Sequence, residues 1–372
     1  MIEGILWTCL LIVMLYSFWI RGLSKVWDER VISFFMEDQR KDLPSVSLIV
    51  PFRNEEKNIL QLLQDINQFD YPTDLLECVF VNDHSDDRSV DIINGFSLKY
   101  KFLLINAESE GKKSAITTGV KNATHTWIVT TDADTHWDAH ALRTLLSHPK
   151  INDAEMICGV VDLNASAKNI LSNLQVAEYA ILQAAGIASL FRHEPLLNSG
   201  ANLAYRKWSF IELEGYKNHE HIASGDDTFL MLAFANKWND SVVSNPKSKV
   251  STGTVETWAQ YFAQRNRWGK KVKHYADKNI RQVGILFLFS NIGMVLLVFG
   301  ACTNLYYLLL LVLSCFFKCT AEYSLLKRYY QFYQENFEWS RVLLLTLIYP
   351  MVFILTLFSG IVVSNTWKGR KL

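Results

Sequence analysis

Apolar and polar residues fall into two regimes along the chain: near-continuous apolar blocks at both ends, and a middle block in which short apolar runs alternate with segments of helical spacing. Gly4 to Ile20 is the first apolar block; as a helix it would be roughly 26 Å long, about the hydrocarbon thickness of a bilayer. Its only early charge is Glu3, and Arg21, Lys25 and Arg30 follow it. A cleaved leader carries its positive charge first, so an uncleaved anchor is expected, with the next domain cytoplasmic at a bacterial inner membrane. Val283 to Phe317 is too long for one span and is punctuated at Gly300 to Asn304, which predicts two spans and a tight turn. Val342 to Ser364 is long enough for one more. Basic residues flank that segment on both sides, Lys318, Lys327, Arg328 and Arg341 before it and Lys368, Arg370 and Lys371 after it. Both flanks cannot be cytoplasmic if it crosses once. Either Pro350 and Gly360 make it re-entrant, or one preceding span does not fully cross.

In the middle block, Ser45 to Pro51, Leu76 to Val81, Phe102 to Ile105 and Trp127 to Thr131 read as short buried strands. Between them Ile59, Leu62, Leu63 and Ile66 recur at helical spacing, with Asn54 a candidate N-cap, and Ala115 to Asn122 predicts a second helix. Alternating strands and helices predict an α/β fold with a mostly parallel sheet, whose ligands bind at the carboxyl ends of the strands. The expected division is an anchor over 1–24, a catalytic domain over 38–255, basic interfacial helices over 256–282, membrane helices over 283–364 and a basic tail over 365–372.

Composition adds little to this division. Half of the 372 residues are apolar and mean hydropathy is +0.08, which excludes disordered and collagen-like classes. The 37 basic residues match the 37 acidic ones, so there is no global attraction to nucleic acid. Six cysteines without a CxxC spacing read as reduced structural thiols.

The candidate chemistry stands just after the strands. Pro51, Arg53, Asn54, Glu55 and Glu56 follow the first; Asp83, His84, Asp86 and Asp87 follow the second; Asp132 and Asp134 follow Trp127–Thr131. Acidic clusters on one sheet edge would repel one another without a cation among them. Two aspartates at i and i+2 suit Mg2+ or Mn2+ that keeps its waters and also binds a diphosphate. Gly111 and Lys112 open a helix, where backbone N–H groups and an ammonium favour an anion. Asn198 to Asn202 precede Tyr205 and Arg206, and Asp226 and Asp227 open a further helix, where the dipole favours acids whatever their role. His219-Glu220-His221 lacks the HExxH spacing, and a ligand role is not expected of it. Gln264, Arg267 and Trp268 share one helix face, offering a flat indole to a sugar and a guanidinium to phosphate. From Arg265 to Arg281 there are seven basic residues and one acid, and Lys270 to Arg281 is expected to meet lipid headgroups.

These residues resemble membrane-integrated glycosyltransferases of family 2, the group of hyaluronan, cellulose and poly-N-acetylglucosamine synthases. The resemblance runs over roughly Ser45 to Lys273 and continues in the layout of anchor, domain and anchors. Gln264-x-x-Arg267-Trp268 matches the family's QxxRW, Asp132-Ala133-Asp134 its DxD, and Asn82 to Asp87 its nucleotide-contacting acidic loop. Gly225-Asp226-Asp227 stands where the family carries Glu-Asp, so the first member departs from the pattern and Asp227 matches the base. The resemblance implies a GT-A fold and inverting transfer from a nucleotide sugar, most often UDP-linked, to a lipid or glycan acceptor at the membrane. By the same resemblance, Pro51, Arg53, Glu55, Asp83, Lys112, Asp132 and Arg267 would bind the donor, and Asp132 and Asp134 the cation. Asp226, Gln264 and Trp268 would meet the acceptor, and Asp227 would be the base. QxxRW leans toward processive synthases, but three or four spans are few for a polysaccharide channel. A polymer product would call for an export partner or a homo-oligomer. A domain that had lost catalysis and served as a scaffold would lack acids that are present here.

Overall fold

The computed structural model describes residues 2–35, 42–217, 225–238, 240–272, 274–275, 277–362, 366–367 and 370–371. His219, Glu220 and His221 lie outside the described residues, as do Ser364 and Lys368.

The chain enters through α1 (Ile2–Val26), which passes through a π-helical turn at Trp27–Val31 into a short α2 (Ile32–Phe35). There follow β1 (Val46–Phe52), α3 (Ile59–Gln68), β2 (Leu76–Asn82), α4 (Ser89–Gly95), β3 (Lys101–Asn106), α5 (Lys112–Asn122) and β4 (Trp127–Thr130). The domain continues with β5 (His136–Trp137), α6 (Ala141–Leu146), β6 (Met156–Asn164), α7 (Ile170–Phe191), β7 (Leu203–Arg206), α8 (Lys207–Glu212), α9 (Asp226–Lys237) and β8 (Val242–Gly253). Then come α10 (Trp258–Val272), α11 (Lys278–Ala301), α12 (Leu305–Phe332), and α13 (Trp339–Leu343), which runs through a second π-helical turn into α14 (Tyr349–Val362).

Eight strands form one sheet in the order β3-β2-β1-β4-β7-β6-β8-β5. The first four are parallel, as the alternation of strands and helices implies, and β7 then runs antiparallel to β4 with Leu203 opposite Thr130. That reversal puts the residues just before Leu203 on the edge where Asp132 and Asp134 leave β4. Side chains of β1 alternate between the two faces, Leu48, Val50 and Phe52 entering one core and Ile49 the other. Asn54 is not a helix N-cap. Its φ of 52° is left-handed, and α3 starts only at Ile59; the Asn54 Oδ1 instead accepts the backbone N–H of Asp86 at 3.0 Å, tying the first loop to the second.

Five helices are long and apolar enough to cross a membrane, among the described residues. One of them, α7, was not expected from the sequence and is a core element: 78% of its apolar window is buried, beneath α1, α12 and α14. The others expose large apolar side chains such as Phe18, Phe299, Leu305 and Phe358, surface that suits lipid rather than water and makes this a membrane-associated protein. The break between α11 and α12 falls at residues 302–304, within the punctuation seen in the sequence. The last helix stays against the domain. The Tyr349 hydroxyl donates to Glu178 of α7, and ten residues on, about 15 Å along a helix, Ser359 accepts from Asn266 of α10.

Candidate active site

The loops after β1 and β2 are stapled together by their own polar groups. The Arg53 guanidinium donates to the Asp83 carbonyl at 3.0 Å, the Glu55 N–H to Ser89 Oγ at 2.8 Å and the Glu56 N–H to Asp87 at 2.9 Å. Asp86 and Asp87 are therefore structural, their loop held by backbone donors instead of by a cation. Asp83 is the member of this cluster that turns into the cleft, and its Oδ1 accepts the Gly111 N–H at 2.9 Å. Gly111 adopts φ of 112°, which a side chain would oppose; this conformation aims its N–H at Asp83 and places Lys112 in the first turn of α5.

Lys112 is the hub of the site. Its Nζ lies 2.7 Å from Asp132 Oδ1 and 2.9 Å from Asp226 Oδ2. Burial opposes its charge, but the two carboxylates outweigh burial and hold its pKa above the ordinary lysine value. The same pairing, aided by Lys271 and Lys113, outweighs the burial of Asp226 and keeps that carboxyl below the usual range. Gly200 makes room for this contact: a Cβ there would stand 3.2 Å from Asp226 Oδ2 and 3.7 Å from Lys112 Nζ. Thr130 fixes Gly200 by donating to its carbonyl at 2.8 Å. Asp226 thus faces the lysine of α5.

Asp227, the next residue, accepts the Thr228 N–H at 2.6 Å and has Lys271 Nζ at 3.6 Å. Lys271 corrects the sequence reading. It belongs to the run assigned to lipid headgroups, yet its side chain is only 17% exposed and lines the cleft, whereas Lys270 and Arg281 are exposed. Burial opposes its charge too, and Asp227 outweighs it, raising the pKa. Tyr275 bonds both Lys271 and Thr228, so the segment after α10 clamps the first turn of α9.

α10 carries Gln264, Arg267 and Trp268 on its cleft side, as the spacing predicts. Burial presses Arg267 below the ordinary arginine value, although Asp226, Asp132, Asp227 and Asp134 all lie near enough to act against that. Behind this face is a pair that sequence reasoning missed. Arg265 grips Glu178 of α7 through Nε and a terminal nitrogen at 2.7–3.1 Å, and the hydroxyls of Tyr261 and Tyr349 donate to the same carboxylate at 3.1 and 3.0 Å. The Arg265 guanidinium also lies 4.2 Å from the Trp268 ring, fixing the indole. The arginine next to QxxRW's own was a signal, but nothing in the sequence pairs it with an acid 87 residues away.

All the expected site residues, Pro51, Arg53, Glu55, Asp83, Lys112, Asp132, Asp134, Asp226, Asp227, Gln264, Arg267 and Trp268, line one cleft of about 1280 Å³. Among the described residues, no three His, Cys, Asp or Glu side chains gather tightly enough to hold a metal by themselves. The donor set nevertheless fits a hard divalent cation. Asp132 and Asp134 alternate out of a turn closed by Thr135 N–H to Asp132 O at 3.2 Å, and Mg2+ or Mn2+ is commonly held by one or two carboxylates plus phosphate and water.

Residues 47–213 match the family described as Glycosyl transferase family 2. The probable glycosyltransferase YdaM of Bacillus subtilis is 30% identical over 265 residues, 68% of this chain and 61% of that protein. A poly-beta-1,6-N-acetyl-D-glucosamine synthase of Staphylococcus epidermidis is 27% identical over 152 residues, 40% of this chain and 36% of that one. The matches thus span less than two thirds of these relatives' lengths. Among solved structures, the mannosyltransferase PcManGT from Pyrobaculum calidifontis, in complex with GDP-Man and Mn2+, superposes with a TM-score of 0.60 over 94% of this chain and 99% of that one, at 16% identity. The shared architecture is the GT-A fold, and the chain carries a glycosyl transferase family 2 domain joined to apolar helices at both ends.

Proposed function

We propose that the protein transfers a sugar from a nucleotide-sugar donor, UDP-linked by the family resemblance, to a hydroxyl of a membrane-associated acceptor, with inversion. The observation that carries this reading is that Asp83, Asp132, Asp134, Asp227, Arg267 and Trp268 line a single cleft beside the membrane helices. Pro51, Arg53, Glu55 and Asp83 would surround the nucleoside at the ends of β1 and β2. Asp132 and Asp134 would hold Mg2+ or Mn2+; when bound, the cation neutralises charge on the diphosphate. Lys112 and Arg267 offset the remaining charge as the sugar–phosphate bond breaks. Asp227 takes the acceptor's proton while the acceptor oxygen attacks the anomeric carbon opposite the departing diphosphate, and one such displacement inverts the centre. Trp268 and Gln264 would seat the acceptor, with Asp226 ordering Lys112 beside it.

The catalytic domain is cytoplasmic in this reading, since Arg21, Lys25 and Arg30 leave α1 on the domain side. A re-entrant last helix would let both basic flanks lie there, which the contacts of Tyr349 and Ser359 with the domain support.

A second reading, processive polysaccharide synthesis, is favoured by QxxRW and by the similarity to the staphylococcal synthase. The test of the first is consumption of a panel of nucleotide sugars by the purified protein with membrane lipid present; no consumption of any donor contradicts it. Product sizing separates the two readings, because a ladder of long glycans excludes transfer of one sugar.

A further inference from the structure

The cleft continues past the catalytic acids. It has a second arm among the membrane helices, walled by Tyr16, Trp19 and Ile20 of α1, Phe287 of α11, and Phe353 and Leu357 of α14. Polar groups that reach this arm are turned away from it. The Tyr16 hydroxyl donates to Glu322 at 3.1 Å, the Tyr349 hydroxyl to Glu178 at 3.0 Å and the Thr356 hydroxyl to the Val352 carbonyl at 2.9 Å. The Glu178 carboxylate is itself taken up by Arg265 and Tyr261. These residues present rings and alkyl groups to the cavity. A glycan would leave its hydroxyls without partners against such walls, whereas a hydrocarbon chain loses nothing there and leaves water. At its far end the arm reaches Leu357, which is 44% exposed beside Phe358 at 63%. The arm therefore opens on the apolar outer flank of the helices.

We infer that the acceptor is a membrane lipid. Its hydroxyl-bearing head lies between Asp227 and Trp268, and one hydrocarbon chain enters the arm between α1, α11 and α14. The inference rests on the reading of the site as a glycosyltransferase and narrows the acceptor from lipid or glycan to lipid. Continuity carries it: one cavity holds the acids at one end and the lipid-facing flank at the other.

The test is photolabelling of the full chain in phosphatidylcholine vesicles without donor. One preparation contains diacylglycerol with a diazirine near the end of one acyl chain, and the other a diazirine-bearing polyprenyl phosphate, so that the two sources of a hydrocarbon chain are compared. Saturable adducts on the peptides bearing Phe287 and Phe353–Leu357, from either probe, are expected. They should be competed by the unlabelled lipid and reduced at least fivefold by Leu357→Trp, which plugs an exposed mouth and spares the core. Adducts at Leu305, which is 79% exposed, should not change and so report an intact membrane fold. Labelling of the arm no stronger than at Leu305, or unaffected by competitor and by Leu357→Trp with both probes, overturns the inference. Donor consumption is measured separately: arm labelling without any donor use would contradict the glycosyltransferase reading and leave the lipid site standing. Donor use that yields water-soluble glycan, with no arm labelling, would overturn the lipid site alone.

Discussion

The ammonium of Lys271 stands 3.6 Å from the carboxylate of Asp227, one on the last turn of α10 and the other on the first turn of α9. The sequence places these groups 44 positions apart, and their meeting ties the QxxRW helix to the proposed base. We expect Lys271→Met to lower turnover at least about tenfold, equivalent to roughly 1.4 kcal/mol in the barrier. Nucleotide affinity should change little, and Lys271→Arg should restore part of the rate. Steady-state kinetics with nucleotide binding by calorimetry checks this; an equal loss in both would assign Lys271 to the donor.

The Arg265–Glu178 pair is buried on both sides and joins α10 to α7. Removing one member strands the other charge, which costs about 3–5 kcal/mol. Arg265→Met should therefore lower the thermal midpoint of the detergent-solubilised protein well below that of Lys270→Met, a change at an exposed neighbour. Equal midpoints would show that the pair does not hold the two helices together.

Cation dependence should reside in Asp132 and Asp134. Excess chelator is expected to abolish transfer, and Asp134→Asn to raise the Mg2+ or Mn2+ concentration for half-maximal activity by about tenfold or more, the equivalent of roughly 1.4 kcal/mol. Full activity in chelator would contradict the role given to these acids.

Lys112 supplies a pH prediction. Its pKa is held above the ordinary lysine value of about 10.4, so the folded state binds this proton more tightly than the unfolded chain does. The stability that follows is fully present below about pH 10 and is lost as pH rises through the higher folded value. Thermal unfolding between pH 8 and 12 should show the midpoint falling at the alkaline end. Lys112→Met should lower the midpoint at pH 8 and flatten that fall; an unchanged slope would mean the pairing does not bear on stability.

Much of the nucleotide half of the cleft was legible because parallel strands put short-range motifs on one edge: Asp83 and Asp132 each stand directly after a strand of continuous apolar residues. The helix face of Gln264, Arg267 and Trp268 was legible for the same reason, since i, i+3 and i+4 spacing fixes neighbours locally. What stayed hidden depends on long-range contact. β6, β7 and β8 complete the sheet through an antiparallel reversal that no local period announces. α7 reads as apolar enough for a membrane, and only tertiary burial makes it core. Lys271 was hidden in a basic run whose other members face outward, and composition cannot show which lysine of a run turns inward. Asn54 read as a cap because its type fits one, while the structure uses its tolerance of left-handed φ to turn the loop.

The account depends most on Asp227 as the proton acceptor in the cleft it shares with Asp134. The direct measurement is turnover of a labelled nucleotide sugar, with donor affinity measured in parallel, for the purified protein and for Asp227→Asn. The account predicts that transfer falls by at least about a hundredfold, the scale of a lost general base, while donor affinity stays within about threefold, roughly 0.7 kcal/mol. Undiminished transfer by Asp227→Asn would contradict it.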